Sequence, residues 1–113
     1  MYVYRATCVR VVDGDTVILD VDVGFHMRGK ISFRLFGIDA PEMVGASKAD
    51  GEVARTALQS ILAQATGPLR IETYKADSFG RWLADIYLTL ATGGELHVNS
   101  EMVRLGHAVW KTY

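Results

Sequence analysis

Apolar and polar residues alternate through much of the first third of the chain, the period of a strand with one buried face. Residues 2–12 read as a first strand and residues 16–23 as a second. In the second, Val17, Leu19, Val21 and Val23 share one face. Ile18, Asp20 and Asp22 share the other, which turns those two acids to solvent. Asp13-Gly14 between the runs is a hairpin signal, because glycine tolerates positive φ. A loop over 24–29 leads to a third strand at 30–36, where Ile31, Phe33 and Leu35 alternate with Ser32 and Arg34. Residues 37–48 break the pattern with Gly37, Pro41 and Gly45. The spacing then turns helical over 50–64, with Val53, Ala54, Ala57, Leu58, Ile61 and Leu62 as the apolar stripe and Gly67-Pro68 as the stop. Strands follow at 69–75 and 82–90, separated by a turn that carries Arg81. After the turn ATGG, a short helix is predicted at 99–105, with Gly106 at its left-handed C-terminal position.

Three strands, a helix, two strands and a short helix predict a mixed β/α fold, a five-stranded OB-fold Greek-key barrel with a helix after strand 3. A length of 113 residues suits one domain, 1–113. Twelve basic and 13 acidic residues leave a net charge of −1, so a nucleic acid would have to be held by a local site rather than by a global field. Cys8 is the single cysteine, which excludes an intramolecular disulfide and a multi-cysteine zinc site; its apolar, strand-like surroundings predict a buried, inert thiol. No stretch approaches the length of about 20 apolar residues that a membrane span needs, and the N-terminus lacks the apolar run of a secretory signal. A soluble chain with no membrane partner is expected, its compartment undetermined.

Candidate chemistry begins with the acids. Asp15 falls in phase with Val17 and Leu19, where an ionised carboxylate is costly unless a cation or several donors hold it. Asp39 and Glu42, in GIDAPE, add two acids in a loop braced by Pro41. Three carboxylates without a neighbouring lysine suit a hard divalent cation, which takes oxygen ligands. They also suit a turn aspartate, a capping aspartate and a solvated glutamate. Arg34 and Arg81 change the balance, because a guanidinium grips phosphate oxygens bidentately and stays charged. Acids for a metal and arginines for an anion are what phosphodiester hydrolysis requires; surface ion pairing is the alternative for both arginines. The run DGDTVILDVD fails as an EF-hand loop, since Val17 stands at its fifth position and its sixth lacks glycine. His26, His97 and His107 lie in separate segments without metal-ligand spacing, and Arg28 and Lys30 read as solvated charges.

Four blocks in order, VVDGDTV, FRLFGIDAPE, DSFGRWLADIYL and NSEMVRLGHA, give the chain a resemblance to the staphylococcal nuclease (thermonuclease-like) family over residues 11–108. The resemblance implies an OB-fold barrel and a Ca²⁺-dependent phosphodiesterase, an endonuclease that hydrolyses DNA and RNA, preferably single-stranded or frayed, and leaves 3′-phosphates. By position, Asp15 and Asp39 correspond to the carboxylate ligands of the metal, and Ala40 to the residue that lends it a backbone carbonyl. Glu42 matches the general base, Arg34 and Arg81 the phosphate-binding arginines, and Asp13 a supporting acid near the metal. Trp110 and Tyr113 are candidates to stack on a substrate base. Two departures stand out. Ser78 and Phe79 replace a lysine and a tyrosine of the family, which bears on substrate affinity. With Tyr113 the last residue, the usual third helix is expected to be absent, and a homodimer, or a tail folded back with Val109 and Trp110, is expected to cover the apolar surface. The rival from another class is a non-catalytic OB-fold module that binds nucleic acid or protein. Such a module has no reason to carry Asp15, Arg34, Asp39, Glu42 and Arg81 together.

Overall fold

The computed structural model describes residues 1–43, 45–75 and 80–112. Its first three strands are β1 (Tyr2–Asp13), β2 (Thr16–Gly24) and β3 (Met27–Leu35). A two-residue β4 (Ile38–Asp39) and a 3₁₀ turn (Gly45–Ser47) lead into helix α1 (Lys48–Leu62). Then come β5 (Leu69–Tyr74), β6 (Trp82–Thr89), β7 (Glu95–His97), helix α2 (Val98–Arg104) and β8 (Val109–Trp110). Antiparallel pairing runs β3-β2-β1-β5-β6, and β6 returns parallel to β3 through Phe33↔Trp82, Arg34↔Leu83 and Leu35↔Ala84. The five strands therefore close into a barrel, the anticipated OB-type architecture, with β7 added to the edge of β6.

Inside the barrel the strand alternation holds. Val17, Leu19, Val21, Phe33, Leu35, Ile71, Ile86 and Leu88 are buried. Helix α1 packs Ala54, Leu58, Ile61 and Leu62 onto this core, and α2 adds Val98 and Met102. Asn99, fully buried, joins the two ends of the barrel wall. Its Oδ1 accepts the Ile86 N–H at 3.0 Å, and its Nδ2 donates to the carbonyls of Phe36 and Ala84 at 2.9 and 3.0 Å. Every polar atom of the amide is thus engaged, which is what makes its burial affordable.

Several expectations are corrected. The β2–β3 connection is a two-residue turn at Phe25 and His26, both left-handed with φ of 56° and 59°, so β3 begins at Met27 rather than at 30. Gly24 and Gly29 suggested a loop, but two positive φ angles in succession build the tight turn whose twist matches the strands. Val23 lies beyond the closure of the barrel and is exposed, as is Val53 on α1. Cys8 is exposed too, because the ladder slips between Cys8 and Arg10 and tips this part of β1 outward; partial burial still pushes its thiol pKa up. The strands β4, β7 and β8 were not anticipated, being too short to carry a period. Among the described residues, no helix is long and apolar enough to cross a membrane.

Candidate active site

The turn between β1 and β2 carries the acid that alternation flagged. Asp13 ends β1, and its Oδ1 accepts the backbone N–H of Asp15 at 3.0 Å. This Asx-type bond tightens the turn, which falls on Gly14 and Asp15, one residue later than the sequence suggests. Gly14 is required there for room: a Cβ would lie 2.7 Å from the Ala54 Cβ of α1 and 2.8 Å from that of Ala40. The turn, the loop after β4 and α1 consequently meet at one point.

That meeting presses Asp15 inward. It is 6% exposed, and its Oδ2 accepts the Ala40 N–H at 3.0 Å while Oδ1 accepts the Thr16 hydroxyl at 3.1 Å. Thr16 sits across from Arg34 in the β2–β3 ladder, which brings the guanidinium over the turn. Arg34 Nη2 lies 2.8 Å from Asp39 Oδ1 and 3.4 Å from Asp15 Oδ2. Arg81, just before β6, donates from Nη1 to Thr16 Oγ1 at 3.1 Å. Asp39 is fixed from its other side, because β4 pairs with β8 through Ile38↔Trp110 and Asp39↔Val109, and the Lys111 N–H donates to the Gly37 carbonyl at 2.7 Å.

Asp13, Asp15, Arg34, Asp39, Ala40, Glu42 and Arg81 line one cleft of about 360 Å³. All seven are the positions singled out in the sequence as metal-holding, catalytic or supporting. Burial is the main cause that pushes the Asp15 carboxyl above its usual range, and Asp13 adds to it; the Ala40 N–H and the Arg34 charge oppose them. An acid so placed gains from a nearby cation. Among the described residues, no three His, Cys, Asp or Glu side chains form a metal cluster by themselves. The donor set nevertheless fits an oxygen-loving cation, since Arg34 Nη2 already holds a positive charge between Asp15 and Asp39.

Other candidates fall away from the cleft. Asp20 pairs with Arg28 at 3.2 Å, and Asp22 accepts the Gly24 N–H at 2.9 Å. Trp110 is exposed on β8, across from Ile38 in the ladder, and is not in the cleft lining. Tyr113, Ser78 and Phe79 lie outside the described residues. His97 belongs to a separate network with Asp85 at 2.7 Å and Ser100 at 2.9 Å. A larger depression of about 530 Å³ near Arg5 and Arg70 holds a guanidinium already engaged by Glu72 and Glu95 and set 4.1 Å over the Tyr87 ring.

Two positions that shape the cleft are not evident in the sequence. Thr16 links Asp15 to Arg81, although DGDT contained it; a hydroxyl beside a buried carboxylate was the available signal. Gly51 is the other. It is buried in the first turns of α1, where a Cβ would fall inside contact distance of the Glu42 carbonyl and 2.9 Å from the Met43 Cα. A glycine within a helix costs about 1 kcal/mol relative to alanine, so its presence there was a sign of close approach.

Comparison with known proteins points to one family. Residues 32–113 match a family model described as staphylococcal nuclease homologue. Over 86 residues, 74% of this chain, it is 36% identical to a protein of Oryza sativa subsp. japonica named probable staphylococcal-like nuclease CAN2. It is 35% identical over the same length to CAN3 of that plant, likewise named a probable staphylococcal-like nuclease. The match spans 20% of the length of each of these relatives.

Proposed function

Because the chain belongs to the family of staphylococcal nuclease homologues, we propose that residues 1–113 act as one nuclease unit that hydrolyses phosphodiester bonds of DNA and RNA in the Asp15 cleft. One observation carries this reading. Asp15, Arg34, Asp39, Glu42 and Arg81 come from separate elements, yet all line the same cleft. A binding-only module has no use for that combination.

Asp15, Asp39 and the Ala40 carbonyl would hold Ca²⁺, the cation that the resemblance implies. When bound, such a cation neutralises charge on a phosphoryl oxygen and helps to orient the phosphate. Arg34 and Arg81 donate to the two non-bridging oxygens, where charge builds as phosphorus becomes pentacoordinate. For this, Arg34 turns from Asp39 toward the phosphate. Glu42, exposed at the rim, takes a proton of the attacking water; the P–O5′ bond breaks, the leaving 5′-oxygen takes a proton from solvent water, and a 3′-phosphate remains. Thr16 holds the Arg81 guanidinium toward the cleft.

Single-stranded or frayed substrate is preferred in this reading, because a strand free to bend reaches the nearly buried Asp15 more easily than an intact duplex does. Trp110 lies on the neighbouring strand with 61% of its surface exposed, suited to stack on a base next to the scissile phosphate. A homodimer is part of the same reading, and a concentration-independent monomer mass in light scattering removes it.

Cleavage of single-stranded DNA tests the function. Purified protein should cut in Ca²⁺, not in chelator, and Glu42→Gln should cut far more slowly. Replacing Arg34 or Arg81 should cost a factor of about 10²–10³ in rate, as loss of one preorganised donor does elsewhere. Equal cleavage by protein, chelated protein and Glu42→Gln would identify a contaminant. Absence of cleavage with retained DNA binding would favour the binding module.

A further inference from the structure

The β2–β3 hairpin runs past the point where the barrel closes. β3 pairs with β2 from Met27 to Arg34, but with β6 only from Phe33 to Leu35. Among the described residues, the other edge of residues 27–32 therefore has no strand beside it. Such an edge is a row of open N–H and C=O groups, a template for one more strand.

What flanks the edge defines what could join it. On one face, Tyr2, Tyr4, Val21, Val23, Ile31 and Trp82 line an apolar cavity of about 270 Å³. On the opposite face stand Arg28 and Lys30, both exposed. The strand already on the paired side shows the pattern that β3 accepts. In β2, Asp20 and Asp22 lie across from Lys30 and Arg28, while Val21 and Val23 turn to the cavity. Arg28 shows the charge preference through Nε, which donates to the Asp20 carboxylate at 3.2 Å, while its Nη2 donates to the Asp20 backbone carbonyl at 3.1 Å.

Two other occupants fit less well. A second copy paired edge to edge, antiparallel, would bring Arg28 and Lys30 of one chain against the same residues of the other, and like charges across a ladder repel. A nucleic-acid backbone offers neither N–H groups at strand spacing for the open edge nor apolar side chains for the cavity.

We propose that the free edge of β3, residues 27–32, docks an extended acidic–apolar peptide segment of a protein partner as an added strand. Its alternate apolar side chains enter the cavity beside Ile31 and Trp82, and its intervening carboxylates pair with Arg28 and Lys30. This surface is independent of the nuclease reading, since none of these residues lines the Asp15 cleft.

Amide NMR tests it with a capped peptide of the sequence of residues 18–24, ILDVDVG, which is already the strand that β3 accepts. Saturable shifts and slowed hydrogen exchange should centre on residues 27–32. A peptide with lysine in place of both aspartates should bind at least about tenfold more weakly, as should the original peptide to an Arg28→Ala, Lys30→Ala protein whose other amide signals are unchanged. No saturable shift, equal binding of the two peptides, or perturbation centred elsewhere would overturn the proposal. So would protection of the same amides by single-stranded DNA with none by the peptide, or protection that grows with protein concentration alone.

Discussion

Asp15 is nearly buried, yet it must be ionised to hold a cation. Burial and the neighbouring Asp13 both favour its neutral form, so the charged carboxylate is a strained element of the cation-free fold. Asp15→Asn keeps an oxygen to accept the Ala40 N–H and removes the charge. In chelator, the variant should be as stable as the parent or more so, by about 0.5–2 kcal/mol in urea unfolding, the usual range for relieving a functional site. Added Ca²⁺ should raise the melting temperature of the parent and leave the variant unmoved. A variant less stable in chelator would overturn the strain, and one still stabilised by Ca²⁺ would remove Asp15 from the metal site. Tyr74 gives a second residue-scale prediction. Burial first, then its hydrogen bond to Asp85 at 2.8 Å, push its pKa up to about 12. The unfolded chain ionises near the ordinary value of about 10 while the folded chain does not. The stability from Tyr74 is therefore full below about pH 10 and is lost as pH rises toward 12. Tyr74→Phe should flatten the fall of the urea midpoint with pH over that window; an unchanged slope would dismiss the coupling. Asp15 was legible because it kept the phase of an apolar face, whereas the Tyr74–Asp85–His97 network was not, because its members lie on three strands.

At the scale of elements, the long periodic segments β1, β2, β3, α1, β5 and β6 were legible within a few residues, since each buries one face over several repeats. β4 and β8 were not. Two residues carry no period, and Ile38–Asp39 becomes a strand only because Val109–Trp110 pairs with it from the far end of the chain. The Phe25–His26 turn was missed for a different reason: neither residue is the glycine or asparagine that positive φ usually selects. The approach of α1 to the loop of Glu42 is likewise tertiary. Gly51→Ala should force the Glu42–Met43 backbone away, because the clash is with main chain and not with a yielding side chain. The helix itself gains propensity from alanine, by about 1 kcal/mol. A net loss of about 1–3 kcal/mol, the cost of overpacking, with a larger fractional loss of cleavage than of Ca²⁺ binding, is the expected result. Equal or raised stability with full activity would show that the loop position of Glu42 does not depend on this contact.

For the molecule as a whole, barrel closure and the cleft share one hinge of structure. Parallel pairing of β3 with β6 brings Arg34 and Arg81 to the same end of the barrel, and residues 36–39 leave that junction to supply Asp39. Asn99 holds the junction from within, bonding Phe36 and both Ala84 and Ile86 of β6 from the start of α2. In the sequence it reads as a polar residue at a helix start, and nothing local announces that three backbone groups depend on it. Asn99→Leu keeps the volume and removes the partners of those groups. Ile86 N–H loses its acceptor and the Phe36 carbonyl its donor, while Ala84 O keeps only the Phe36 N–H at 2.8 Å. Each buried group left unsatisfied costs about 1–3 kcal/mol, so a loss of about 3 kcal/mol is expected, equivalent to roughly 10–15 °C in Tm for a chain of this size. The decisive measurement is cleavage by the variant at a temperature where circular dichroism finds it fully folded. Activity reduced there, with the loss shared by Ca²⁺ affinity, means that Asn99 transmits the closed barrel to Asp39; activity equal to the parent means that it supports the barrel alone.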